Sequence, residues 1–471
     1  MQLVWFRNDL RTADNTALWQ ACDSGGPVTG IFFLTPQQWR VHHQSPVQVE
    51  FRLRCLAELA QSLQKLGIPL LVETVSDFSV LPRQLLKICK ALNVEAMHLN
   101  NEYPLDELRR DDAVRQLLQE NDIDCFRFHD RTLLPPGSVR NNNDQPYKVF
   151  TPFKKRYLAI IEESGNVDVL PQPQPVSSKG GVTVPDIPNS LPDFQCSIAP
   201  EKWSAGEKAA QQALETFASE RIADYADQRD LPAMEGTSRL SHHLAVGTLS
   251  PRQCLQAALI ADNENPPAGK SINNWISELI WRDFYQHIVF DFPEVCKHKP
   301  FKPETDAIRW RDSEADFRAW CEGRTGVPLV DAGMRQLQEI GWMHNRVRMV
   351  TAMYLTKNLF IDWRRGEAFF MDHLVDGDFA SNNGGWQWSA STGTDAAPYF
   401  RIFNPFEQGK KFDPEAVYIK RYVPELRELE AAVIHNPDKL EKLRPKAYAA
   451  QRVNLRDSRQ RAIDVFRNLA E

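Results

Sequence analysis

Short apolar runs and amphipathic segments alternate along the first third of the chain. Residues 2–6, 28–34, 69–75, 95–99 and 123–128 are apolar stretches of strand length, the pattern of strands buried in a sheet. Between them, 51–66 (with Leu56, Leu59, Leu63 and Leu66), 81–92 and 105–119 repeat apolar residues at helical spacing. Strand and helix alternating in this way predict an α/β fold with a doubly wound parallel five-stranded sheet, which usually carries its ligand at the carboxyl ends of its strands. The first turn reads Arg7-Asn8-Asp9-Leu10-Arg11 where a dinucleotide fingerprint would need G-x-G-x-x-G, so a dehydrogenase is disfavoured. A purely structural sheet remains the alternative.

Prolines 171, 173, 175, 185, 188, 192 and 200 crowd the next stretch, too densely for a helix or a central strand. The pattern is helical from about Ser204 nearly to the end. The expected organisation is an α/β domain over 1–135, a linker over 136–203 and an all-helical domain over 204–471, in keeping with a 471-residue chain that exceeds one hydrophobic core. No apolar run reaches membrane-spanning length and the N-terminus is interrupted by charge, so a cytoplasmic protein is expected. Eight scattered cysteines without zinc spacing predict reduced, mostly buried thiols and no metal. A net charge of −6 argues against indiscriminate nucleic-acid binding over the whole surface. Yet Arg335, Arg346, Arg348, Arg364, Arg365, Arg401, Lys410 and Lys411 crowd the C-terminal half, as a basic patch or as surface salt bridges.

Four stretches carry candidate chemistry. Residues 236–241 set small hydroxyl residues ahead of a helix, which suits a phosphate or simply caps the helix. Over 276–288, Ile276, Ile280, Phe284 and Ile288 form a core stripe, while Glu278, Trp281, Arg282 and Tyr285 share another face, either a pocket wall or a solvated surface. Asn345, Arg348 and Met349 share one face after Gly341. Residues 376–405 combine two indoles, three acids, adjacent asparagines and a Gly/Ser/Thr run. That composition suits a site for something flat and polar, or a tight interhelical loop with ordinary core tryptophans.

Residues 5–11, 236–241, 278–285, 341–349 and 376–405 together resemble the photolyase/cryptochrome family, closest to bacterial class I cyclobutane pyrimidine dimer photolyases, over essentially the whole chain. The resemblance implies an antenna domain, a long linker and a helical domain that holds one FAD, reduced for activity. Tyr225, Thr237, Ser238, Arg239, Leu240, Ser241, Trp275, Glu278, Arg282, Trp342, Asn345, Arg348, Asp376, Gly377, Asp378, Asn382 and Trp386 match positions around the flavin. Among these, the Asn382 amide matches the group facing flavin N5, and Arg348 and Asp376 match a pair beside the isoalloxazine. Gly384 and Gly385 let the backbone come close to the ring.

The implied activity is light-dependent repair of UV-damaged DNA, by electron transfer from excited reduced FAD to a flipped-out pyrimidine dimer. Glu278 matches the carboxyl that hydrogen-bonds the dimer, Trp281 and Trp388 its aromatic walls, and Met349 and Asn345 its other neighbours. Arg229, Arg346 and Arg401 match phosphate contacts. Trp386, Trp363 and Trp310 match a chain carrying electrons from the surface to the flavin. His42, Glu107, Cys296 and Lys297 match positions that hold a methenyltetrahydrofolate antenna, with Asp106 where Asn is usual. The absence of a His pair at Asn345 and Met349 favours the cyclobutane dimer over the (6-4) lesion, and Asn382 stands where plant cryptochromes have Asp. The alternative is a cryptochrome-type blue-light receptor without repair activity. A monomer without membrane attachment is expected.

Overall fold

The computed structural model describes residues 1–165, 168–176 and 183–469. Five parallel strands form one sheet in the order β3-β2-β1-β4-β5: β1 (Gln2–Phe6), β2 (Val28–Leu34), β3 (Leu70–Thr74), β4 (Ala96–Asn100) and β5 (Asp124–Phe128). Val4 lies opposite Gly30 on one side and His98 on the other, so β1 is the central strand and the winding reverses between β1 and β4. Each expected strand is present with its ends within a residue or so. Every residue of β2 and β4 is buried. β5, expected to be buried, is half exposed because it is an edge strand with a neighbour on one side only.

The crossovers are helical: α1 (Thr16–Asp23), α2 (Pro46–Lys65), α3 (Leu81–Leu92) and α4 (Leu105–Gln119). On one sheet face Trp5, Ile31, Phe33, Met97 and Leu99 pack against Leu81, Leu85 and Cys89 of α3 and Val114 and Leu118 of α4. Each such side chain contributes roughly 1.5–3 kcal/mol by leaving water. Asn15 caps α1 by accepting from the Leu18 N–H, and Asn93 ends α3 with φ of 51°, a conformation asparagine tolerates.

The stretch 136–203 holds a helix, α5 (Phe150–Ser164), ahead of the proline-dense part, where the described residues carry no helix or strand before Pro200. The remainder is helical, and its elements used below are α6 (Pro251–Glu264), α7 (Gly269–Asp291), α8 (Pro328–Ile340), α9 (Asn345–Met353), α10 (Trp363–Met371), α11 (Phe379–Ala390) and α12 (Leu455–Asn468). The loop reading of 376–405 is therefore corrected: its first half is helix α11.

Two compact units result. One takes residues 1–223, 238–293 and 375–380; the other takes 224–237, 294–374 and 381–471. The core of the second gathers Trp320, Met334 and Leu337, Leu355, Trp363, Phe370, Trp386 and Tyr418. A π-helical turn, Tyr354–Leu359, separates α9 from α10 and buries Lys357, whose Nζ donates to the Ala390 carbonyl at 3.0 Å and lies 3.6 Å from the Phe466 ring of α12. Burial pushes this amine well below the ordinary lysine value. Among the described residues no helix is long and apolar enough to cross a membrane. The cysteines are less buried than expected: Cys55, Cys89 and Cys254 are buried and the other five half-buried.

Candidate functional site

In the sheet-containing unit, α7 presents its two faces as the spacing predicts. Ile276, Ile280, Phe284 and Ile288 are buried, whereas Glu278, Trp281, Arg282 and Tyr285 are half-buried. Arg282 donates to the Arg131 carbonyl at 2.7 Å, and the Arg131 guanidinium pairs with Asp378 at 2.7 Å. Gln286 of α7 also donates to Asp378, at 3.2 Å, and Gln48 of α2 donates to the Gly377 carbonyl at 2.6 Å. These bonds bring Arg282, Gly377 and Asp378 together, with Asp376 buried beside them. Arg131, the residue joining them, carries no local motif. Trp275 is buried against Phe217.

Ahead of α6, Gly236 is needed for close packing, since a Cβ there would sit 2.5 Å from the Gln228 Cβ. The helix that Ser241 opens, Ser241–Val246, has no side-chain cap, so the hydroxyls of Thr237 and Ser238 are not its caps. Thr237, Ser238 and Arg239 are half-buried, Leu240 buried and Ser241 exposed.

The antenna candidates His42, Asp106 and Glu107 meet in the same unit. His42 Nδ1 lies 3.4 Å from Glu107 and its Nε2 3.4 Å from Asp106. His42 and Glu107 border a pocket at the carboxyl end of the sheet, walled by Trp5, Phe32, Trp39 and Phe78. Burial raises the Glu107 carboxyl above the usual range, and its Oε2 has no partner among the described residues. A buried acceptor edged by aromatic walls fits a flat ring that offers N–H donors. Cys296 and Lys297 belong to the other unit, where Lys297 pairs with Glu294.

In the helical unit, α9 leaves Asn345 exposed and Arg348 and Met349 half-buried, while Val347 and Val350 go to the core, so the expected three-residue face is present. Arg348 donates to the Met343 carbonyl at 2.7 Å and lies 5.9 Å from the Trp342 ring. Arg346 pairs with Asp230 at 2.8 Å, and Arg229 approaches the same carboxylate at 3.9 Å while lying over Tyr225. Asp230 thus gathers two of the expected phosphate contacts. Arg401 lies on an exposed turn. Arg335, Arg364 and Arg365 are tied to Glu425, Asp306 and Glu314, which makes them salt-bridge residues.

On α11, Asn382 Nδ2 donates to the Glu367 carbonyl at 3.0 Å, leaving its Oδ1 as the acceptor end of the amide. Asn383 donates to the Glu367 carboxylate at 2.8 Å and accepts from Gln387 at 2.8 Å. Trp386 is 2% exposed, packed edge-on to Phe370 and Trp320, with its Nε1 unpartnered among the described residues. Trp363 starts α10 one turn before Gly366, against which Trp386 packs, and is 1% exposed. Trp310 packs on Phe360 at 5.1 Å and is only partly buried, so the series runs from core toward surface. Trp388 is half-buried near Phe403.

The chain thus combines a unit built on a parallel α/β sheet with a helical unit that holds Trp310, Trp363 and Trp386 and an Asn382 amide fixed by Glu367. The comparisons give the family. Residues 2–176 match the model described as DNA photolyase, and 275–468 match the FAD binding domain of DNA photolyase. A deoxyribodipyrimidine photo-lyase of Vibrio cholerae is 43% identical over 99% of each chain, and one of Escherichia coli 46% identical over 92% of this chain and 91% of its own. A crystal structure of a bacterial class III photolyase from Agrobacterium tumefaciens superposes with a TM-score of 0.86 at 34% identity, covering 100% of this chain and 97% of that one. The chain belongs to the DNA photolyase family and carries its FAD-binding domain.

Proposed function

We propose that this chain is a light-dependent DNA repair enzyme that splits cyclobutane pyrimidine dimers, the activity in the names of its full-length relatives. The observation that carries the reading is the face of α7 that sets Glu278 beside Trp281, Arg282 and Tyr285, half-buried polar and aromatic side chains on a helix whose other stripe is apolar core. Reduced FAD, when bound, supplies under blue light the electron that opens the cyclobutane ring and takes it back afterwards.

The protein's part is to bind and orient. Tyr225, Thr237 to Ser241, Trp275, Arg282, Trp342, Arg348 and Asp376 to Asp378 would hold the cofactor, and the Asn382 Oδ1, fixed by Glu367, would accept the flavin N5–H. Glu278 hydrogen-bonds the flipped dimer, Trp281 and Trp388 flank its bases, and Asn345 and Met349 complete the contact. Arg229, Arg346 and Arg401 take phosphates, the first two released from Asp230 as they do so. Trp310, Trp363 and Trp386 would form the path by which electrons reach the cofactor. The unpartnered Glu107 Oε2 beside His42 supports methenyltetrahydrofolate as the antenna, with Asp106, Cys296 and Lys297 as further contacts. The functional division is an antenna domain over 1–135, a linker over 136–203 and a FAD- and DNA-binding domain over 204–471, in a cytoplasmic monomer.

The test is direct. Reduced, FAD-loaded protein under blue light should restore UV-damaged oligothymidine, followed by recovery of absorbance near 260 nm, a standard readout; an unchanged absorbance overturns the function. Glu278→Ala should lower the repair yield at least about tenfold, the scale of one lost transition-state hydrogen bond. Flavin absorbance per chain should stay unchanged, and flavin loss instead would place Glu278 in cofactor binding.

A further inference from the structure

Helix α5 is fastened lengthwise along α7, from Ser277 through Trp281 to Asp283 and Phe284. Its first residue, Phe150, lies flat on the Trp281 indole, with ring centroids 3.6 Å apart and planes within 9°. The other aromatic neighbours of Trp281 do not cover it in this way: Phe284 meets it edge-on at 81° and Tyr285 is tilted at 32°. Phe150 is itself buried and fixed edge-on against Phe284 at 73°. Further along α5, Phe153 packs on Phe284 at 5.0 Å, Lys154 Nζ donates to Ser277 Oγ at 2.6 Å, and the Tyr157 hydroxyl donates to Asp283 at 2.5 Å. The proline-rich connection thus begins with a helix locked to α7 on both sides of Glu278.

A flat partner at van der Waals distance restricts an indole more than an aliphatic one of equal volume, because rotation out of the stack forfeits the whole contact. Trp281 is half-buried with one face covered, so the area it offers lies away from Phe150. We propose that Phe150 is a positioning residue for damage recognition: stacked behind Trp281, it holds the indole plane in place for a flipped pyrimidine dimer. The proposal rests on the reading that Trp281 faces the dimer. It makes α5 part of the recognition apparatus, not only a tether.

The experiment measures equilibrium binding in the dark of FAD-loaded protein to an oligonucleotide with one thymine dimer and to its undamaged counterpart. Phe150→Leu, which fills the space without a flat face, should lose about 3- to 10-fold in dimer affinity, the worth of one aromatic pair, and nothing toward undamaged DNA. Phe150→Tyr should keep wild-type affinity, which a role in bulk packing alone would not separate from Phe150→Leu. The double variant Phe150→Leu/Trp281→Leu should bind the dimer no more weakly than Trp281→Leu alone. Unchanged dimer affinity in Phe150→Leu, an equal loss on both DNAs, or additive losses in the double variant overturns the proposal. If Trp281→Leu weakens dimer binding while Phe150→Leu does not, only the role of Phe150 falls; if neither does, the placement of Trp281 at the dimer falls with it. Should Phe150→Leu lose flavin or fold, Phe150→Met makes the same comparison.

Discussion

At the scale of single residues, Gly366 shows how little room the packing around Trp386 allows. An added Cβ would lie 2.1 Å from Trp386 Cη2, 2.4 Å from its Cζ3 and 2.7 Å from Leu355 Cδ2. The indole is already enclosed by Phe370 and Trp320, so it cannot retreat without shifting other core rings. Gly366→Ala should therefore cost about 1–3 kcal/mol of stability through overpacking. On the proposed electron path it should also slow photoreduction of oxidised flavin, by displacing Trp386. Chemical denaturation and flavin bleaching under blue light check the two effects, and a variant as stable as the parent with unchanged bleaching contradicts the packing. Nothing in the local sequence distinguishes this glycine, because its constraint comes from a tryptophan 20 positions away.

Among elements, α11 shows where sequence and structure part. Asn382, Asn383, Gly384 and Gly385 are poor helix formers, and propensity reads the stretch as a loop. The helix forms because tertiary bonds override propensity: Asn382 and Asn383 are tied to Glu367, and Gln387 accepts from the Phe301 N–H at 2.7 Å. A Cβ added at Gly385 would meet no atom within 4 Å. Gly385→Ala should then stabilise the FAD-free protein by about 0.5–1 kcal/mol, the ordinary helical gain of alanine over glycine. If the glycines admit the flavin, the same change should weaken FAD retention, measured by equilibrium titration. Unaltered FAD affinity in a stabilised variant leaves Gly385 with no part in the cofactor site.

The strands were legible because buried parallel strands are short and continuously apolar, and β2, α3 and α4 end where the pattern ends. Periodicity also grouped Glu278, Trp281 and Arg282, and Asn345, Arg348 and Met349. Arg131, Asp230, Glu367 and Phe150 were not legible. Arg131 acts on Asp378, Asp230 on Arg346 and Phe150 on Trp281, each more than 100 positions away, so no window of sequence contains both halves of those contacts.

For the molecule as a whole, histidines in the sheet-containing unit contribute a loss of stability in mild acid. Burial holds His98, His243 and His287 down to about 4, and His242 well below its ordinary value, with the neighbouring His243 adding to the shift. In the folded protein these rings stay neutral where the unfolded chain, titrating near 6.5, already takes protons. Their contribution is thus complete above about pH 6.5 and is lost as pH falls through about 4. Glu102 and Asp130, held down to about 2 by burial among arginines that outweigh the desolvation, act only in a lower window, so the two effects separate. Buried carboxyls raised by desolvation, those of Asp9, Glu107, Asp283, Asp331 and Asp413, act with the opposite sign, so the histidines' decline is read by comparing single variants with the parent in urea between pH 6.5 and 4.5. His287 isolates one proton of this decline: it is buried and sits edge-on to Phe153 and Tyr157. His287→Phe removes the titration while keeping an aromatic ring in the cluster. It should flatten the slope by up to about 1.4 kcal/mol per pH unit, the value for one proton. An identical slope in the variant would show that His287 is protonated alike in the folded and unfolded chains, and that burial does not control its charge.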